Sequence, residues 1–406
     1  MGDEQERVTY RSIFAEREFR ALFASRALST VGDYVARAAL VVAVFTETGS
    51  EALMGVTFAL TVLPDLLGGP LLAGLADRYP RRAVMVVTDL GRAALLLVMA
   101  IPGMPLLALW ALLFAVRLID PPFTSAYIST MSVVLPGKRL VTGSAVTQLV
   151  NHVSYTVGYG LGGAIVAVSG LSTVLVINAA TFTVSAVVIL LGVLGRPATA
   201  LPDGRVTLLG AGVAAARYVL GRARLRVILL FTLPIAATLA TETLAAPYAV
   251  QTGNDPAVAG LLMGAGPAGI VIGLWLLPFL IPDQGARHVA ALSILSCAPL
   301  VLFVATPGPA PAVVLIVVSG TSLCFWIPLA AEFTQAVPDH MRGQAVGLLT
   351  TSMRVTQGVA ILTFGLVAQN VSSALVIAAA GALGTGVATV LSVAWMRADR
   401  ATVIER

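Results

Sequence analysis

Charge is scarce in this sequence. Of its 406 residues only 11% are Asp, Glu, Lys or Arg, while 58% are hydrophobic; a soluble domain carries about a quarter charged and about half apolar. Too few polar side chains remain to cover a water-facing surface, so an ordinary soluble fold is excluded and lipid is the missing solvent. Lysine is rarer still: Lys138 is the only one, and the formal net charge of +5 rests on arginine. The two cysteines, Cys297 and Cys324, lie in apolar runs without metal-ligand spacing and read as small packing residues. Aromatics are 6% of the chain, so no aromatic cage announces a substrate. A Walker-type phosphate loop is missing, which removes ATP as the direct energy source. His-Glu-x-x-His, Gly-x-Ser-x-Gly and acidic diphosphate-binding motifs are missing too, which weighs against an intramembrane enzyme. No cofactor, metal or nucleic-acid partner is expected. The charged, amphipathic stretch Met1 to Arg20 is not followed by a cleavable signal pattern, so the first apolar run is expected to remain as a span.

What is present is a succession of apolar runs, each near the roughly 20 residues that a helix needs to cross a bilayer. They predict twelve spans, at 20–46, 52–75, 83–101, 105–127, 142–168, 171–193, 226–249, 256–281, 288–305, 311–333, 345–368 and 371–394. The connections alternate. The odd-numbered ones are short and hold no Lys or Arg. The even-numbered ones carry Arg78, Arg81 and Arg82, then Lys138 and Arg139, then six arginines from Arg196 to Arg226, then Arg287, then Arg342. The positive-inside rule puts these, and both arginine-rich termini, in the cytoplasm.

The one long connection divides the spans six and six. The expected organisation is therefore an N-terminal bundle (1–194), a cytoplasmic linker with an amphipathic helix (195–225) and a C-terminal bundle (226–406). The halves look duplicated. Asp77 precedes Arg81 and Arg82 as Asp283 precedes Arg287 and His288, and Gly143-Ser144-Ala145-Val146 matches Gly343-Gln344-Ala345-Val346, at offsets of 206 and 200 residues. Two matches at nearly one offset favour a repeated unit.

A charge at mid-bilayer costs about 2.5–3.5 kcal/mol on insertion scales, so polar residues in the spans should face the bundle interior. Arg26, Asp33 and Arg37 share one face of the first span by helical spacing. Arg117 and Asp120 lie three apart in the fourth. Gln148, Asn151, His152 and Tyr155 form a stripe on the fifth, Thr238, Thr241 and Glu242 on the seventh, and Thr350, Arg354 and Gln357 on the eleventh. These stripes predict a wet central cavity. Asp33 with Arg37, and Arg117 with Asp120, read equally as coupling groups or as self-neutralising pairs. Asp65 and the Asp89 and Arg92 pair read as structural, and His152 as a packing residue. Glu242 has no basic residue within a turn in its own span, which makes it a candidate proton carrier or a solvated carboxylate at the outer mouth.

Ala73-Gly74-Leu75-Ala76-Asp77-Arg78-Tyr79-Pro80-Arg81-Arg82 resembles the loop between the second and third spans of the major facilitator superfamily, which has glycine where Ala73 and Pro80 stand. Gly158-Tyr159-Gly160-Leu161-Gly162-Gly163 is similar to the antiporter motif, which has proline where Tyr159 stands. Arg117 stands at the place of a mid-membrane arginine. Gly32-Asp33, Thr88-Asp89, Asn178-Ala179-Ala180-Thr181-Phe182 and Val337-Pro338 with Arg342-Gly343 further resemble the drug-exporter branch with enterobactin exporters and macrolide efflux proteins. The resemblance implies two six-helix bundles rocking about a central site. It implies a cytoplasmic latch of Asp77, Arg78, Arg81 and Arg82 against the helix that Gly343 opens, where the helix dipole favours a carboxylate. The fifth-span glycines 158, 160, 162 and 163 would allow close helix contact, with the eighth span as the expected neighbour.

The reading is an all-α membrane protein of about twelve spans, acting as a monomeric secondary transporter in the plasma membrane. Its partners are lipid, a small-molecule substrate and protons. Efflux of an amphipathic molecule is expected, with Asp33, Glu242, Arg37, Arg117 and Asp120 as the coupling groups; an importer or facilitator of a small metabolite with the same fold is the alternative.

Overall fold

The structure, a computed structural model, describes residues 10–64, 67, 68, 72, 75–196, 216–254, 258–280 and 286–404. Among these residues it is helical throughout, with no strand. A short α1 (Tyr10–Phe14) precedes α2 (Arg17–Thr48) and α3 (Glu51–Leu60); α4 (Leu75–Arg78) leads to α5 (Arg81–Met99). Then come α6 (Leu106–Leu118), α7 (Asp120–Val134) and the 55-residue α8 (Lys138–Gly192). Beyond the linker lie α9 (Ala223–Leu230), α10 (Thr232–Thr243), α11 (Ala245–Gln251), α12 (Val258–Leu280) and α13 (Ala286–Cys297). The chain ends with α14 (Pro309–Ser322), α15 (Trp326–Gln335), α16 (Asp339–Ala368) and α17 (Ser373–Ile404).

Among the described residues, nine stretches are long and apolar enough to cross a membrane. Each matches one of the twelve expected spans. Of the other three, the second is described only in part, as α3. The third, α5, carries Arg81, Arg82, Asp89 and Arg92 within its 19 residues. The fifth is the first part of α8, with the polar stripe from Gln148 to Tyr155.

Proline and glycine account for the breaks. Pro121 and Pro122 lack the N–H that would continue α6 into α7, and the chain leaves helical geometry at Ile119 (φ −91°, ψ 2°). Pro234 and Pro247 interrupt the seventh span in the same way, between α9, α10 and α11. Gly170, at φ 76° and ψ 162°, separates the fifth and sixth spans inside α8, a conformation that glycine alone adopts without strain. The fifth and eleventh spans begin earlier than expected, at Lys138 after Gly137 (φ 63°) and at Asp339 after Pro338.

The contacts sort the chain into two compact units, one of 1–39, 60–158 and 168–202, the other of 40–59, 159–167 and 203–406. The first has a core of Phe19, Leu22, Met85, Phe123, Tyr127, Met131 and Ile189. The second is built on Leu225, Phe231, Phe325, Leu329, Phe333 and Trp395. Large apolar side chains also point outward. Leu107, Leu191, Trp275 and Phe279 are each about three-quarters exposed (75–77%), the inverted surface that a lipid environment demands.

Candidate functional site

The charged residues of the first unit come together inside it. Asp33 sits midway along α2, one turn before Arg37, whose Nη2 donates to Asp33 Oδ2 at 2.8 Å. The same carboxylate oxygen accepts from Arg117 Nη1 at 2.9 Å. Arg117 belongs to the last turn of α6 and Asp120 opens α7. The proline break therefore sets a cation where α6 exposes carbonyls and a carboxylate where α7 exposes N–H groups, each in favourable register with its helix dipole. Asp120 pairs not with Arg117 but with Arg92 of α5. Arg92 also holds Asp89, whose other oxygen accepts from Ser185 Oγ at 2.6 Å. The guanidinium of Arg92 lies between the rings of Phe182 (4.4 Å) and Phe123 (4.8 Å). Asp89 and Arg92, which sequence spacing marked as structural, thus join the network that contains the candidate coupling groups.

Small residues make this convergence possible. A Cβ on Gly32 would lie 2.6 Å from Asn178 Oδ1, so the sixth span presses directly on α2 beside Asp33. A Cβ on Gly158 would lie 3.0 Å from the backbone nitrogen of Val35. That glycine is used against the first span, whereas the eighth span was its expected neighbour. Gly269 and Gly273 of α12 press on Val317 and Thr321 of α14 instead. Around Gly160 there is open space, and Gly162 is buried; Gly163 lies in helical backbone within α8. Tyr155 stacks on Tyr34 with ring centroids 4.5 Å apart, and Arg37 stands 5.0 Å over the Tyr34 ring. Tyr34 did not stand out in the sequence, because an aromatic beside an aspartate carries no spacing signal of its own; Phe182 entered only through the motif Asn178-Ala179-Ala180-Thr181-Phe182.

The remaining expected residues are spread more widely. Asn151 donates to Gln148 at 3.0 Å on an exposed part of α8, and His152 is half-buried nearby. In the second unit Glu242 is buried, with its Oε1 3.7 Å from where a Cβ on Gly266 would stand. Thr238, Thr241 and Thr350 donate back to carbonyls of their own helices, which occupies their protons. Arg354 and Gln357 are half-buried on α16. An open crevice of about 370 Å³ beside them is lined by Leu233, Ala237, Val359, Phe364 and Leu383; it offers apolar surface of the kind a lipid chain covers. In the expected latch, Arg78 is exposed, Arg81 donates to the Ser129 carbonyl at 3.0 Å and Arg82 to that of Leu190. Asp77 and Gly343 lie in helical backbone, in α4 and α16, and the side chain of Asp77 lies outside the described residues. Most of the linker, 197–215, lies outside them as well.

Ion pairs thus gather around a broken helix inside the first unit of a chain whose described residues include nine stretches able to cross a membrane. Residues 22–361 match the model of the Major Facilitator Superfamily. The chain belongs to that superfamily. Among curated relatives, an uncharacterized MFS-type transporter, YfiS of Bacillus subtilis (strain 168), is 27% identical over 175 residues, 43% of this chain and 42% of that protein. Macrolide efflux protein A of Streptococcus pyogenes is 24% identical over 165 residues, 40% of this chain and 41% of the relative. The matched stretch thus spans less than half the length of either relative. Solved structures share the fold over nearly the whole chain. The nucleoside transporter NupG gives a TM-score of 0.66 at 16% identity, covering 93% of this chain and 98% of its own. A POT family transporter in complex with 5-aminolevulinic acid gives 0.73 at 12%, covering 93% and 96%. A bacterial homologue of the human lysosomal transporter Spinster gives 0.66 at 15%, covering 96% of each chain. This major facilitator protein is therefore a multi-pass membrane protein.

Proposed function

We propose that the chain is a proton-coupled exporter of a small amphipathic molecule. In this reading it works by alternating access in the plasma membrane, as a monomer with both termini cytoplasmic. Two six-helix halves would rock about a central site, with Asp77, Arg78, Arg81 and Arg82 latching against the start of α16 near Gly343. The observation that carries the coupling is the sharing of one Asp33 oxygen by Arg37 and Arg117. A proton on that carboxylate would cancel its charge and turn an acceptor into a donor, releasing at least one arginine. Because Asp33, Arg117 and Gly158 tie three spans to one point, the loss of that tie favours a different arrangement of helices. A ligand shifts such an equilibrium only through its differential affinity for the two states, and here the proton has one. Glu242, buried in the second unit, supports the reading as a second candidate carboxylate. Export in preference to import is supported by the motifs shared with macrolide efflux proteins and by the sequence match to one of them.

The test is transport of a mixed compound panel into inverted vesicles with an imposed inside-acid gradient. Gradient-dependent accumulation is expected for the native chain, and an Asp33→Asn protein of equal abundance should lose it by about a hundredfold, the upper end of a typical coupling energy. Full flux in Asp33→Asn would remove Asp33 from the coupling path. Accumulation only in right-side-out vesicles would make the protein an importer.

A further inference from the structure

We propose that Arg26 is the docking point for an acidic group on the transported molecule, so that the substrates are organic anions. The proposal deepens the transport reading above and rests on it.

The argument starts from charge. The interior network holds four arginines, Arg26, Arg37, Arg92 and Arg117, and three aspartates, Asp33, Asp89 and Asp120. The fields of Arg92, Arg117, Arg26 and Arg37 all reach Asp120, so these groups form one electrostatic unit. At most three negative charges therefore face four positive ones among the described residues. Three of the arginines are matched by direct ion pairs: Arg37 and Arg117 by Asp33, Arg92 by Asp89 and Asp120. Arg26 is the surplus. Among the described residues its guanidinium makes no hydrogen bond or ion pair. Its neighbours are two ring faces, with Cζ 6.0 Å from the centroid of Phe123 and 5.9 Å from that of Tyr127.

Aromatic faces attract a guanidinium but leave its N–H donors free. A half-buried cation without a counter-ion favours any anion that can reach it, and the guanidinium fork suits a carboxylate, sulfonate or phosphate. Here the fork stands against two buried rings that hold it in place. Phe123 and Tyr127 are nearly parallel (16°) with centroids 6.3 Å apart, and Tyr127 is fixed by a 3.2 Å hydrogen bond to Thr147 of the fifth span. Arg26 also lies seven residues, about 10 Å along the helix axis, from Asp33, so an anion there leaves the proton site unoccupied.

The experiment is saturable binding of radiolabelled naphthoate to the full chain in detergent micelles. Naphthamide and naphthylmethylammonium, of similar shape but neutral and positive, serve as competitors. Naphthoate is expected to bind, with both competitors at least about tenfold weaker, since the charge-assisted bond is what they lack. Arg26→Gln should weaken naphthoate by about tenfold or more and erase its advantage over naphthamide, while Arg26→Lys keeps part of both. Equal competition by naphthamide on the native chain, no saturable naphthoate binding, or unchanged binding in Arg26→Gln would each overturn the proposal. The native-chain comparison holds even if a variant fails to fold. Failure of the transport reading is separate: anion binding without flux in vesicles would sink export and leave the site, whereas flux of other compounds without anion binding would do the reverse.

Discussion

The two units of the molecule solve the problem of a membrane interior in opposite ways. The first fills its middle with charge: seven charged side chains on three spans, all but Arg26 joined by ion pairs, interleaved with Tyr34, Phe123 and Phe182. The second fills its middle with backbone. Gly266, Gly269 and Gly273 on α12 let α14 approach until a Cβ on Gly320 would stand 3.2 Å from the Gly266 Cα. Serines complete that contact layer, with Ser319 donating to the Ser296 carbonyl and Ser293 bonding Ser392 at 3.1 Å. Among the described residues Glu242 is the one carboxylate buried there. If the two halves descend from one repeated unit, as the matched segments indicate, they have diverged in chemistry. One carries the groups that change charge, and the other supplies close packing of the kind that drives helix association in lipid.

The largest effect expected from this contrast is at Arg92. Its side chain is 3% exposed and holds two carboxylates at once. Arg92→Met would fill much of the same space but leave Asp89 and Asp120 without the cation they share. Removing one partner of a buried ion pair costs about 3–5 kcal/mol, and the outcome should be a large drop in melting temperature in detergent or failure to accumulate. Arg92→Lys should recover only part, because an ammonium lacks the planar fork that reaches both aspartates beside Phe123 and Phe182. A melting temperature unchanged in Arg92→Met would mean that the charge in the first unit is incidental to its stability.

The second unit should break by overpacking instead. At Gly320 the atoms that a new methyl group meets belong to the Gly266 backbone, which cannot rotate away as a flexible side chain would. Gly320→Ala is expected to cost about 1–3 kcal/mol, the usual range for overfilling a packed core, and to push α12 and α14 apart. A crosslinking yield between cysteines placed on those two helices would report the separation. Gly160→Ala, on the same kind of residue in open space, should be silent.

Much of this was legible in the sequence, and for physical reasons. Hydropathy marks the spans because lipid tolerates little else, and the pairing of Asp33 with Arg37 follows from a four-residue spacing on one helix. Cross-helix partners were not legible. Nothing along the chain says that Arg117 reaches back 84 residues to Asp33, or that Asp120 turns from its near neighbour to Arg92. Those choices depend on the break at Ile119, which rotates α7 relative to α6, and on Gly32 and Gly158, whose missing side chains let the first span be approached from two sides. Glycine spacing signals that a close contact exists without naming the partner. The expected neighbour of Gly158 was accordingly replaced by Val35.

The smallest effect expected is at the edge of the second unit, where Arg224 pairs with Glu332 and stands 4.8 Å over the Trp395 ring. Charge is present here as in the first unit, yet the two side chains are 29% and 31% exposed, so water already solvates both when they part. Arg224→Gln should cost about 1 kcal/mol or less, and the difference from the native chain should shrink further at high salt, which screens an exposed pair and not a buried one. Melting curves at low and high salt for Arg224→Gln and Arg92→Met separate the two cases: salt should narrow the first gap and leave the second nearly unchanged. If both gaps moved together, exposure would not be what distinguishes these ion pairs, and the network around Asp33 and Arg92 would have to be treated as water-filled in place of buried.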